Sequence, residues 1–313
     1  ERTRLMAFSQ VMGQVAWMIV PWFWVLIADP DLFESQAQGV QTLSLYVAGG
    51  CVILGLMPGL FCKGIDSENI ENRAEISFKT LWSNLVDVGK SIIQTFKNKS
   101  FVKLCAATFL VFNGFQLVSS FSYFIIVFHM FDGDYGAAGT WPAWFATLSA
   151  VITALFVIPI VTWMANHWGK KNAFVIATFI SVGGYLLKWY GFNPENPWLI
   201  FMPLPLMSFG IGGLFTLMMS MTADVCDLDE LNNGMPRKEG TFGAIYWLMV
   251  KLGMALAMVL GGVVLKLVGF DAGAATQTVE TMTNLRIADI VIPATTALLA
   301  ILVMWKYDIS EEK

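Results

Sequence analysis

The residues able to do chemistry gather between Asp224 and Lys251. The run Asp224-Val225-Cys226-Asp227-Leu228-Asp229-Glu230 is followed by Gly234-Met235-Pro236-Arg237-Lys238-Glu239-Gly240, then by a long apolar segment holding one lysine, Lys251. A helix starting near Gly240 carries Lys251 about 16 Å along its axis, roughly the middle of a hydrocarbon core about 30 Å thick. A lysine stem is too short to snorkel out from there. A lone ammonium at that depth costs at least ~2.5–3.5 kcal/mol, so it must face protein, water or a counter-charge. Two readings follow: a structural lysine paired with an acid elsewhere, or a functional charge. The acidic run offers a second chemistry. Asp224, Asp227, Asp229 and Glu230 beside a membrane helix can hold Mg²⁺ and a diphosphate, as in intramembrane prenyltransferases. Such enzymes need acidic clusters on two helices, and the sequence has no second Asp-rich motif. The two histidines, His129 and His167, stand far apart and give neither a zinc-protease spacing nor a nucleophilic triad.

The elements that must carry these residues are membrane helices. Of 313 residues 56% are apolar and 13% charged, against about 25% charged in soluble domains, and mean hydropathy is +0.63. The chain reads as an all-α polytopic membrane protein. Its net charge of −4 comes without a basic patch, so no nucleic-acid partner is implied. Cys51, Cys62, Cys105 and Cys226 lie in or beside apolar runs without paired spacing, implying no disulfide framework or metal site.

Apolar runs predict eight spans: 5–28, 41–62, 101–128, 141–166, 173–190, 197–223, 240–268 and 286–306. The sixth is broken by Pro203 and Pro205. Between the second and third, Phe78, Leu81, Trp82, Leu85, Val88, Ile92 and Phe96 recur every three or four residues, the pattern of an amphipathic helix on the membrane surface or against the helix ends. Lys and Arg concentrate before the first span, in 63–103, at Lys170-Lys171, at Arg237-Lys238 and in the tail. Lys188, Lys266 and Arg286 lie on the other side near helix ends. This bias makes both ends of the chain and the Asp-rich loop cytoplasmic, in a cell inner (plasma) membrane.

Asp224 is then expected where the helix dipole is already negative, a poor place for a carboxylate without nearby cations. Arg237 and Lys238 can supply them, while Glu239 sits favourably at a helix N-terminus. Asp224, Asp227, Arg237, Lys238 and Glu239 form a candidate cytoplasmic gate, whose pairs form in one conformation and break in another; the alternative is a solvated acidic loop. Within the spans, Gln10, Gln14 and Trp17 share helical spacing, as do Asn113, Gln116, Ser120 and Tyr123. Such polar stripes line a wet cavity or hydrogen-bond a neighbouring helix. Gln10, Gln14, Trp17, Asn113, Gln116, Trp247 and Lys251 are the candidate solute-facing residues. Trp22, Trp24, Trp141, Trp144 and Trp198 suit the interfacial belt.

The run Thr222-Ala223-Asp224-Val225-Cys226-Asp227, then Gly234-x-x-Arg237-x-Glu239-Gly240, then Lys251-Leu252-Gly253, resembles the glycoside–pentoside–hexuronide:cation symporters of the major facilitator superfamily. Glu1-Arg2-Thr3-Arg4-Leu5 looks like that family's loop between helices four and five. The resemblance therefore implies a partial major facilitator fold covering helices five to twelve. Residues 1–62 would be the last two helices of the N-terminal six-helix bundle, 63–100 the central cytoplasmic loop and 101–313 the C-terminal bundle. It implies a monomeric, non-enzymatic secondary transporter without cofactor, coupling uptake of a sugar or glycoside to Na⁺ or H⁺ by alternating access. No metal site is expected in this chain, because the family's cation-binding acids lie on helices outside it. Lys251 matches the family's lysine on helix eleven near the cation and sugar sites, and its partner would be an absent aspartate. Gln10 falls where the melibiose carriers of the family have a sugar-contacting arginine, which weakens the forecast of a galactoside. A lysophospholipid or other amphiphile carrier on the same fold is the alternative.

Overall fold

The computed structural model describes residues 2–27, 29, 31–61, 86, 89–90, 92–233 and 239–307. Among them, eight helices are long and apolar enough to cross a membrane. We number these α1 (Arg2–Ile27), α2 (Gln36–Phe61), α3 (Lys99–Phe124, continued by a π turn Ile125–Met130) and α4 (Trp141–Ile152, a π turn Thr153–Val157, then Ile158–Trp168). There follow α5 (Lys170–Gly191), α6 (Leu204–Asn233, after a 3₁₀ turn Pro197–Phe201), α7 (Glu239–Leu267) and α8 (Val279–Trp305). The eight spans expected from hydropathy are therefore all present as helices.

Packing divides the chain into two units, one of Glu1–Ile19 with Ser91–Lys313 and one of Val20–Lys90. In the second, α2 starts against the end of α1 because Gly39 has no side chain; a Cβ there would meet Ile27 O at 3.2 Å. The apolar flank of α2 is exposed, with Leu45 at 74% and Phe61 at 77%. Of the expected amphipathic stripe, Phe78, Leu81, Trp82, Leu85 and Val88 lie outside the described residues, whereas Ile92 packs on the core of the first unit.

In the first unit α3 is the central helix, packed by α6, α7 and α8. Its start is capped by Asn98, whose side chain accepts from Ser100 N and Phe101 N at 3.1 and 3.2 Å, satisfying two orphan donors of the first turn. Bare backbone sets the closest approaches. A Cβ on Gly184 of α5 would fall 2.3 Å from Met207 N of α6, and one on Gly114 of α3 would fall 3.1 Å from Pro293 Cα of α8. Small residues at helix contacts do this in membranes, where lipid gives no hydrophobic drive for helices to associate.

Three expectations need correction. The Asp-rich segment is not a loop after the sixth span: α6 runs to Asn233, so Asp224, Asp227, Asp229 and Glu230 ride its last turns. No Gly or Pro occurs between Leu214 and Asn233 to stop it. The eighth helix begins at Val279, with Thr278 accepting from Thr281 N at 3.1 Å, which puts Arg286 and Asp289 inside it. Lys188 lies in the last turn of α5, as expected, yet it faces the inside of the bundle and not a membrane surface. Lys188 of α5 forms an ion pair with Asp289 of α8, both side chains 1% exposed. Lys188 Nζ also donates to Ser122 Oγ of α3 at 3.0 Å and lies 5.1 Å from the Phe192 ring centre. The pair thus joins three helices through the inside of the bundle. Pro293, one turn on from Asp289, has no N–H to give back to the Asp289 carbonyl.

Candidate functional site

The site is built on the free side of α7. Phe242, Ile245, Tyr246, Val250, Gly253, Ala257 and Gly261 make its buried stripe, at the three- and four-residue spacing of one helix face. Lys251 falls on the opposite side and is exposed, about 18 Å along a helix that starts at Glu239. Among the described residues it forms no ion pair. Trp247, one turn earlier, is 45% exposed.

Trp247 does not stand alone. Its ring stacks on Phe215 of α6 at 6.1 Å and 27°, and Phe215 meets Phe112 of α3 edge-on at 5.8 Å. Phe112 in turn contacts Phe115 at 6.1 Å. Three helices therefore contribute to one aromatic row that ends beside the lysine. A flat aromatic face takes the apolar C–H face of a sugar ring, and an ammonium one turn away takes hydroxyls or a carboxylate. Tyr246 points the other way and is fully buried.

The other candidates are distributed differently. Gln116 is half-buried on α3. Asn113 is 4% exposed and its Nδ2 donates to Gly253 O of α7 at 3.1 Å, so it bridges helices. On α1, Gln10 is half-buried, Gln14 is buried and Trp17 is 51% exposed. This end of α1 lies along α6 and α4. Thr3 Oγ1 and Ser220 Oγ are 3.1 Å apart and buried, and Thr147 Oγ1 donates to Met18 O at 3.1 Å. Phe112, Phe115 and Phe215 escape sequence reasoning because phenylalanine is common in apolar helices, and only packing shows which three share a row.

At the end of the bundle where α5 begins and α6 ends, Asp224 pairs with Lys170 at 2.5 Å, the side chains 25% and 11% exposed. The expected partners Arg237 and Lys238 lie outside the described residues. Lys170 opens α5 straight after the tight turn at Gly169, whose φ of +80° suits glycine. It thereby reaches the last turns of α6 and supplies the cation that a carboxylate near a helix C-terminus requires. Asp227 follows one turn later, and Glu239 is the first residue of α7. Tyr307, just past α8, is 3% exposed; burial first and the Asp224 carboxylate second push its pKa up, so the phenol stays neutral. Lys103 donates to Lys306 O beside it, tying the end of α8 to the start of α3.

Residues 1–311 match the family described as MFS/sugar transport protein. The chain belongs to this family. It is 29% identical over 155 residues to the glucuronide carrier protein homolog of Escherichia coli K12, covering 50% of this chain and 33% of that protein. To the isoprimeverose transporter of Lactiplantibacillus pentosus it is 24% identical over 176 residues, 56% of this chain and 35% of the other. To the uncharacterized symporter YnaJ of Bacillus subtilis it is 23% identical over 316 residues, 98% of this chain and 62% of the other. The matched segment thus spans between a third and somewhat under two thirds of these relatives.

Proposed function

We propose that this chain is the solute-facing and gating part of a cation-coupled symporter for a sugar or glycoside, working by alternating access. The observation that carries this is an exposed lysine deep in a membrane helix, one turn from a tryptophan stacked into a three-helix aromatic row. The family and the sugar carriers among its relatives support it. Trp247 holds the ring of the solute, and Lys251 balances charge between solute and coupling cation, Na⁺ or H⁺. No covalent step is involved. The carrier acts as a monomer in the inner membrane with both chain ends cytoplasmic.

Lys170 and Asp224 are the gate in this reading, closed where they pair and parted when the cytoplasmic side opens. A partly exposed pair of this kind contributes about 0.2–1 kcal/mol, enough to bias an equilibrium without locking it. Lys170→Met is therefore expected to raise cytoplasmic accessibility at Thr3 and Ser220, read by alkylation of single cysteines placed there, and the swap Lys170→Asp with Asp224→Lys to restore it. Equal labelling in all three proteins would remove the pair from the gate.

Counterflow in proteoliposomes of the full-length protein tests the function itself. Glycosides, pentosides and hexuronides are expected to exchange, and an imposed Na⁺ or H⁺ gradient to drive accumulation. Exchange of lysolipids alone would overturn the sugar reading in favour of an amphiphile carrier.

A further inference from the structure

Asn113 has a position unlike that of a solute ligand. Its side chain is shut between α3 and α7, 4% exposed, with the amide nitrogen on the carbonyl of Gly253. That carbonyl has a second lone pair, so the bond adds to the helix ladder without replacing a rung. Gly253 is also where the two backbones come close: a Cβ there would stand 3.2 Å from Phe109 O and 3.6 Å from Asn113 N. Further along, Gly261 faces Leu117, at 3.6 Å from its virtual Cβ. Toward Glu239, by contrast, α7 packs through bulk, with the Phe101 and Phe242 rings 4.7 Å apart. Small residues alone allow a helix to roll. A directed hydrogen bond at the contact point stops the roll.

What the roll would move is the site. Lys251 precedes Gly253 by two residues and Trp247 by six, which at about 100° per residue places both on the far side of α7. Side-chain tips lie about 5–6 Å from a helix axis, so a rotation of about 20° carries them about 2 Å. A binding constellation has to be held within about 0.5 Å. We propose that Asn113 is a positioning residue for Lys251 and Trp247: through the Gly253 carbonyl it fixes the rotation of α7, and it does not itself touch the solute. What the positioned residues then do rests on the carrier reading above; the positioning is measurable without transport.

The test uses the full-length protein with Lys251→Cys, labelled with a maleimide and read by mass spectrometry against buried Cys226 as internal reference. Asn113→Leu, which keeps the bulk and loses the donor, is expected to change the labelling rate at position 251 several-fold. Gly253→Ala, which keeps the donor but forces the backbones apart, should change it likewise, and it carries the test if the leucine variant does not fold. Labelling unchanged in both overturns the proposal. In proteins retaining Lys251, Asn113→Leu is expected to weaken the cation enhancement of solute affinity about 10-fold; in a Lys251→Met background, where that enhancement is already lost, it should change the enhancement no further and leave only the loss that comes from the displaced Trp247. Effects on the enhancement that simply multiply would make Asn113 an independent ligand or a general packing residue and overturn the proposal. A changed labelling rate together with a silent Lys251→Met would keep the positioning and discard the coupling role of the lysine.

Discussion

Asp289→Leu is expected to cost about 3–5 kcal/mol of stability, because it strands the Lys188 ammonium in a buried site with no anion. The site gives that ammonium little else: Ser122 Oγ at 3.0 Å and the face of Phe192 at 5.1 Å. Lys188→Met should cost less than Asp289→Leu. The carboxylate it leaves behind still has Arg286, one turn earlier on α8, whose guanidinium feels its charge. Arg286 already donates to Trp189 O at 2.5 Å and lies 4.4 Å from the Trp189 ring centre, so it is held at this end of α5. The double variant Lys188→Met with Asp289→Leu should recover most of the loss, since apolar side chains of similar volume replace a buried pair at little or no cost. Thermal unfolding in detergent, followed by monodispersity on size exclusion, measures the order: Asp289→Leu lowest, Lys188→Met next, the double variant near wild type. A double variant as unstable as Asp289→Leu would show that the two residues act separately.

Lys251→Met is expected to leave stability nearly unchanged and to abolish coupling. The residue is exposed on α7 and has no ion-pair partner among the described residues, so its removal opens no cavity and orphans no buried group. If it balances charge between cation and solute, it carries the coupling free energy between them, typically 1–3 kcal/mol or 5–150-fold in affinity. Solute affinity in the variant should then be the same with and without Na⁺ at fixed pH, and across pH in the absence of Na⁺. By reciprocity the solute should no longer tighten cation binding. Isothermal titration of the purified full-length protein reads both. Cation-dependent affinity surviving intact in the variant would remove Lys251 from the coupling path. The two lysines make opposite predictions from the same chemistry: the buried one governs stability and the exposed one governs linkage.

The membrane class, the eight spans and the family motif were legible in the order of residues, because each rests on local content. A run of about 20 apolar residues is a span wherever it occurs, and the sequence around Asp224, Arg237, Glu239 and Lys251 carries its pattern without any contact being known. Lys251 could be singled out because depth along a helix follows from counting residues. Tertiary structure decided which polar residues face outward. Asn113 and Gln116 share a helical stripe, yet one is consumed by a backbone carbonyl across the interface and the other remains half-buried. It also decided which charges find each other. Lys188 and Asp289 lie about a hundred residues apart in chain order, and Lys170 reaches Asp224 from the start of another helix. No periodicity encodes such pairs, because hydropathy records what a side chain avoids, whereas the partner that neutralises it is chosen only when the helices pack.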